Sequence, residues 1–162
     1  AREQVMLDPL TGLYNLKGLL RRIHEVVSDA SRNERHVSLV AVGLPAGKAP
    51  SDQLDPEEVT RIVGLALGRT TRLSDAVARV GPAEFVVEAP GADGPGAEIL
   101  ANRLLAAAGA EQLPLRAGVF SARRVKQEPI APLDLLNRAT EALRRAQSTP
   151  DGPPVLSASR MN

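Results

Sequence analysis

The chain has 162 residues, enough for one globular domain with a real core, and its 20 basic and 19 acidic side chains give a net charge of +1. The balanced charge gives no electrostatic support for nucleic-acid binding, and no apolar run approaches the ~18 residues of a membrane span, so direct membrane contact is not expected. The chain contains no cysteine, which excludes disulfide and thiolate chemistry and fits a reducing, cytoplasmic compartment.

The first residues are typical of a helix that arrives from upstream. We interpret residues 1–7 as the end of such a linker helix, which Asp8-Pro9 terminates because proline disfavours helix in the residue before it. Asn15 can cap a new helix that runs to about Ala30. The domain proper is predicted to cover residues 8–157, and residues 158–162 are expected to be a disordered tail.

Hydrophobic periodicity and turn residues predict the remaining elements in order. They are a strand at 36–42, a helix at 56–71, a hairpin at 75–89, a helix at about 97–109, a strand at about 113–121, a helix at about 132–147 and a strand at 153–157. This order predicts an α/β (α+β) fold with a central mixed, mostly antiparallel sheet of about five strands, flanked by helices.

Four segments resemble the GGDEF domains of the diguanylate cyclase family, in order and at nearly the right spacing over residues 7–147. Asp8-Pro-Leu-Thr-Gly-Leu-Tyr-Asn15 is similar to D-x-L-T-G-L-x-N, and Arg79-Val-Gly-Pro-Ala-Glu-Phe85 matches four of the six specified places of R-x-G-G-D-E-F. Arg116-Ala-Gly118 stands where the family has S-x-G, and residues 136–143 resemble L-x-x-A-D-x-A-L. The chain is therefore identified as a member with a degenerate signature.

The resemblance implies a nucleotidyl-cyclase-like palm fold and a bacterial signalling role. Active members join two GTP molecules into cyclic di-GMP, a phosphoryl transfer that needs Mg²⁺ held by carboxylates. At the matched metal, guanine and phosphate positions this chain has Gly43, Pro45, Ser51, Thr60, Gly81, Pro82, Ala83, Glu84 and Gln147. Only Gly81 and Glu84 keep the family residue, so we predict a domain that is not an enzyme and holds no metal or other cofactor.

The resemblance also implies a second site, which binds the product through R-x-x-D ahead of the signature. Arg72-Leu-Ser-Asp75 stands at that spacing, and Arg103 lies at the place of a third family residue. An arginine can grip phosphate or the guanine O6 and N7 atoms, and a carboxylate can accept the guanine N–H edge. The equally weighted alternative is a surface ion pair, with Arg72 favoured near a helix end.

Three hypotheses about function follow. The first is a cyclic di-GMP receptor that signals to attached domains, in which an intercalated dimer of the nucleotide can cross-link two copies. The second is a ligand-free module for homodimerisation or for a protein partner, and the third is residual GTP binding or nucleotide chemistry. Asp8, Asn15 and Arg79 are interpreted as structural, and Glu84 as a turn or solvent-facing residue.

Overall fold

A five-stranded sheet forms the centre of the molecule in this computed structural model, which describes residues 5–33, 35–45, 55–123 and 130–158. The strands are β1 (Val37–Gly43), β2 (Ala76–Gly81), β3 (Glu84–Pro90), β4 (Arg116–Ala122) and β5 (Val155–Ser157). Their order is β2-β3-β1-β4-β5, with antiparallel pairs throughout except for the parallel pair β4–β5. The predicted mixed, mostly antiparallel sheet is confirmed.

In the described ranges, four helices cover the sheet: α1 (Leu16–Asn33), α2 (Pro56–Thr70), α3 (Gly94–Ala110) and α4 (Pro132–Ser148). The α3 helix begins at Gly94 rather than near residue 97, because the Asp93 side chain accepts a hydrogen bond from the Gly96 N–H and caps the first turn. Among the residues described, no helix combines the length and the apolar character needed to cross a membrane.

The core has two layers, one on each face of the sheet. Side chains of α2 and α3 pack on one face against Val40, Val42 and Val87. Side chains of α1 and α4 pack on the other face against Leu39 and Val86 and their neighbours. Since adjacent strand residues point to opposite faces, a strand buried on both sides is apolar at nearly every position, as β1 is.

The turn before α1 is tied to the outer edge of β2. Asp8 accepts hydrogen bonds from the Thr11 backbone N–H (3.0 Å) and hydroxyl (2.7 Å), and its other oxygen pairs with the Arg79 guanidinium at 3.0 Å. Tyr14 donates its N–H to the Val77 carbonyl, and its own carbonyl accepts from the Arg79 N–H. The turn thereby covers hydrogen-bonding groups of an edge strand that would otherwise be unpaired.

These contacts agree with the structural roles interpreted for Asp8, Arg79 and Asn15. Burial raises the pKa of Asp8, but the hydrogen bonds from Thr11 and Arg79 outweigh it, so the net pKa is lowered. Asn15 accepts a hydrogen bond from the Gly18 N–H at 2.9 Å and caps α1. Residues 1–4 and 159–162 lie outside the described residues, so the linker and tail predictions stay predictions.

Candidate functional site

Arg72 and Asp75 form a compact turn between the end of α2 and the start of β2. The Asp75 N–H donates to the Arg72 carbonyl at 3.0 Å, and the Arg72 N–H donates to Asp75 Oδ2 at 2.9 Å. The guanidinium of Arg72 is largely exposed and lies 3.6 Å from Asp75 Oδ1, as an ion pair. The backbone of this turn therefore holds the Asp75 carboxylate in place and leaves the Arg72 side chain free to turn towards solvent.

The Asp75 carboxylate is buried but incompletely hydrogen-bonded. Its side chain is only 1% exposed, and Oδ1 accepts no hydrogen bond from any residue that the structure describes. A buried acceptor without a donor is costly, and such groups call for an explanation in a native fold. The Arg72 guanidinium, 3.6 Å away, is the ion-pair partner of this buried oxygen but does not form a hydrogen bond with it.

A pocket of about 350 Å³ brings the three predicted product-site residues together. Arg72 and Asp75 line it from the α2–β2 side, and Arg103 lines it from α3. Asp93 and Ile99 also line the pocket, and the sequence had not suggested either of them. The sequence around Asp93 is typical only of a helix N-cap, and a single isoleucine on a helix gives no indication of a binding site.

The positions matched to the catalytic centre lie around the β2–β3 hairpin. They are at the opposite end of β2 from the Arg72–Asp75 turn. Gly43 ends β1, and the Gln147 side chain of α4 donates to the Leu44 carbonyl at 2.8 Å. A Cβ atom added at Gly43 would lie 2.8 Å from Gln147 Nε2. The Gln147 side chain therefore occupies the space that a side chain at position 43 would need. Pro45 follows, half-buried, and Ser51 lies outside the described residues.

Glu84 is an ion-pair residue rather than the turn or solvent-facing residue expected from the sequence. Its two carboxylate oxygens accept hydrogen bonds from both terminal nitrogens of Arg144, at 3.0 and 2.8 Å. Arg144 also donates to Gln147 Oε1 at 2.9 Å. The partners are 60 residues apart, so no local pattern could have indicated the pair.

The tip of the hairpin is fastened to α2. Ala83 has a left-handed backbone with φ of 49° and is buried, and its N–H donates to the Thr60 hydroxyl oxygen at 3.2 Å. Thr60 in turn donates to the Pro56 carbonyl at 3.0 Å. Gly81 lies beside the tip, where its carbonyl accepts a hydrogen bond from Arg79 Nε. Thr60 therefore has a structural contact at the matched guanine position.

The side chains described around the hairpin do not fit a magnesium site. Gly43 and Ala83 offer no side-chain oxygen, and the Glu84 carboxylate is held by Arg144. In the ranges that the structure describes, no group of three or more His, Cys, Asp or Glu side chains could hold a metal ion.

Comparison with known proteins identifies the fold and its relatives. The sequence model of the family described as "Diguanylate cyclase, GGDEF domain" matches residues 5–152. A curated relative, the diguanylate cyclase DgcP of Pseudomonas aeruginosa, is 31% identical over 109 residues. The match covers 65% of this chain and 16% of DgcP, so the chain spans about a sixth of that relative's length.

Solved structures share this fold at lower sequence identity. The diguanylate cyclase SiaD of P. aeruginosa, solved with its activator SiaC, has a TM-score of 0.81 and 22% identity, over 97% of this chain and 63% of that one. The GGDEF domain of DgcB from Caulobacter crescentus, solved with c-di-GMP, has a TM-score of 0.77 and 18% identity, over 96% of this chain and 94% of that one.

These comparisons contradict the prediction that the domain is not an enzyme. The matching family is that of a diguanylate cyclase domain, and the curated relative is itself a diguanylate cyclase. The prediction was wrong because it treated the residue types at single positions, above all Gly43 and Ala83, as decisive for the whole domain.

Proposed function

Because the chain belongs to the GGDEF domain family of diguanylate cyclases, we propose that it is a signalling domain of the bacterial cytoplasm that binds cyclic di-GMP through Arg72, Asp75 and Arg103. The observation that carries the proposal is the buried Oδ1 of Asp75, which accepts no hydrogen bond from the described residues and lies in a pocket lined by two arginines. The related DgcB domain was solved in complex with this dinucleotide.

The three side chains complement the chemistry of the ligand. The guanine N1–H and N2–H groups are donors, which a carboxylate that only accepts hydrogen bonds can take. Arg72 and Arg103 supply fixed positive charge for the two phosphates, or planar donors for the guanine O6 and N7 atoms. Binding would replace the long 3.6 Å contact between Arg72 and Asp75 Oδ1 with direct hydrogen bonds.

Calorimetric titration with cyclic di-GMP tests the proposal. We expect micromolar or tighter binding to the unaltered chain and at least a tenfold weaker affinity for Arg72→Ala, because a charge-assisted contact to phosphate or guanine is lost. Asp75→Asn should have a similar effect, because its amide N–H₂ would face the donors of guanine. Arg69→Ala, which removes an exposed arginine from the last turn of α2, is the matched control and should bind within twofold of the unaltered chain.

Cyclic di-AMP provides a second comparison, since adenine lacks the N1–H donor that Asp75 would accept. We expect its binding to be much weaker than that of cyclic di-GMP. An absence of heat with cyclic di-GMP at micromolar concentrations, or equal affinity of the Arg72→Ala and Arg69→Ala variants, would contradict the proposal. A particle mass that doubles in solution without the nucleotide would instead support the ligand-free dimerisation module.

A further inference from the structure

A second pocket, of about 460 Å³, lies beside the first and shares two residues with it. Both pockets are lined by Arg72 and Asp75, so the turn that these residues form is the wall between them. The second pocket is bounded by the turn before α1, which contributes Leu13 and Tyr14. We refer to it as the Leu73 pocket, after the leucine at its rim.

The two pockets differ in chemistry. The first contains Arg103 and Asp93 in addition to the shared pair, whereas the other side chains lining the Leu73 pocket are mostly apolar. Leu73 is fully exposed to water, and Tyr14, which lines the pocket, is half-buried and also packs against the core. One arginine therefore has a charged pocket on one side and an apolar pocket on the other, and ligand sites commonly combine an apolar lining with a few charged or polar groups.

We propose that the Leu73 pocket receives one purine base of the cyclic dinucleotide whose phosphate is held by Arg72. The inference rests on the proposed function and assigns a second subsite to the same ligand. A cyclic dinucleotide carries two bases on opposite sides of a phosphate-bearing ring, so a base on each side of Arg72 is compatible with its shape. The base buries the exposed Leu73 side chain and packs against the apolar lining of the pocket, which favours binding through apolar contact.

Gly68 provides a direct way to block the Leu73 pocket. It lies on the last turns of α2 and lines this pocket, and a Cβ atom added there meets no described atom within 4 Å. A larger side chain therefore extends into open space rather than into the core. Gly109 on α3 has the same open surroundings and lines neither pocket, so it is a matched control.

The test compares Gly68→Gln with Gly109→Gln by calorimetric titration with cyclic di-GMP. Both changes replace a helical glycine with a better helix former, so both chains should fold. We expect at least tenfold weaker binding for Gly68→Gln and a change below twofold for Gly109→Gln. Leu73→Ser, an exposed substitution that leaves the pocket open, should weaken binding about fivefold, because an apolar wall is lost.

The outcomes separate this inference from the proposed function. The second subsite would be overturned if Gly68→Gln and Leu73→Ser bind with unchanged affinity while Arg103→Ala loses affinity. Binding in the first pocket would then stand by itself. No binding by the unaltered chain would overturn both. Equal weakening by Gly68→Gln and Gly109→Gln would also overturn the inference, because the effect would not come from the Leu73 pocket.

Discussion

The most unusual single residue is Glu88, a carboxylate in the middle of β3 that is fully buried under α1. Neither of its oxygens accepts a hydrogen bond from the residues that the structure describes, and its ion-pair partner Arg22 lies 3.8 Å away. The pKa of Glu88 is raised to about 7, mainly by burial; the positive charge of Arg22 opposes the rise, and the negative charges of Glu25 and Asp75 add to it. The folded chain therefore holds this proton more tightly than the unfolded chain does.

This raised pKa predicts a stability that depends on pH. Because the folded pKa is about 7 and the ordinary value is 4.5, the contribution of Glu88 is fully present below about pH 4.5 and is lost as the pH rises through 7. The loss is up to about 3 kcal/mol in the free energy of unfolding. We expect Glu88→Gln, which cannot ionise, to remove the decrease of the unfolding free energy with pH. Urea unfolding measured between pH 5 and 8 gives this slope.

The control for this prediction is Glu25→Gln, which neutralises an exposed carboxylate on α1 near the same arginine. It should keep most of the slope, because Glu88 still ionises in this variant. Identical slopes for the unaltered chain and Glu88→Gln would show that Glu88 remains ionised in the fold.

Among the elements, the β2–β3 hairpin depends on a contact outside itself. Its tip has a non-glycine residue, Ala83, in the left-handed region, and such a backbone persists only when surrounding contacts stabilise it. The Thr60 hydroxyl on α2 supplies that contact by accepting the buried Ala83 N–H. The hairpin and α2 are thus expected to unfold together.

Thr60→Val tests this coupling, because valine has the shape of threonine without the acceptor. It leaves the Ala83 N–H buried and unpaired, which should lower the free energy of unfolding by about 1–3 kcal/mol. Chemical denaturation measures the loss, and hydrogen exchange should show a faster-exchanging Ala83 amide. Thr60→Ser keeps the hydroxyl and should retain the protection of that amide. An unchanged exchange rate in Thr60→Val would contradict the role assigned to Thr60.

At the scale of the whole molecule, the fold depends on a close approach of α4 to β4. A Cβ atom added at Gly118 in β4 would overlap the backbone of Ala139 and Leu143 on α4. The glycine of the Arg116-Ala-Gly118 motif is therefore a packing residue, which allows the helix backbone to lie directly on the strand. Arg116 strengthens the same junction by donating to the Ala146 and Thr149 carbonyls at the end of α4.

Gly118→Ala is accordingly expected to destabilise the entire domain. The added methyl group forces α4 away from the sheet, and overpacking of this kind costs about 3 kcal/mol. Thermal unfolding of the variant should begin at a clearly lower temperature than that of the unaltered chain. Gly109→Ala, an exposed helical glycine with open space around it, is the control and should be neutral or slightly stabilising. Equal melting temperatures for the two variants would show that α4 does not pack as described.

Local signals were sufficient for much of this protein. The order of helices and strands, the cap at Asn15 and the turn at Asp8 depend on residues close together in the chain, so they could be predicted from the sequence alone. The family resemblance needed four motifs in register along the chain, which are also visible in the sequence. The family resemblance also implied one site at Arg72, Asp75 and Arg103, and their assignment as ligand-binding residues stays a prediction. The inference about enzymatic activity failed, since single positions do not represent a domain.

The sequence by itself determined the element order and the fold class, because periodicity, caps and turn residues act over a few neighbours, and its four motifs in register indicated the family. Only the tertiary structure decided which distant side chains meet. It paired Glu84 with Arg144, buried Glu88 beneath α1, and opened the Leu73 pocket between the turn before α1 and the end of α2. These features depend on which element covers which face of the sheet, and that arrangement is set by packing of the whole chain rather than by any local pattern.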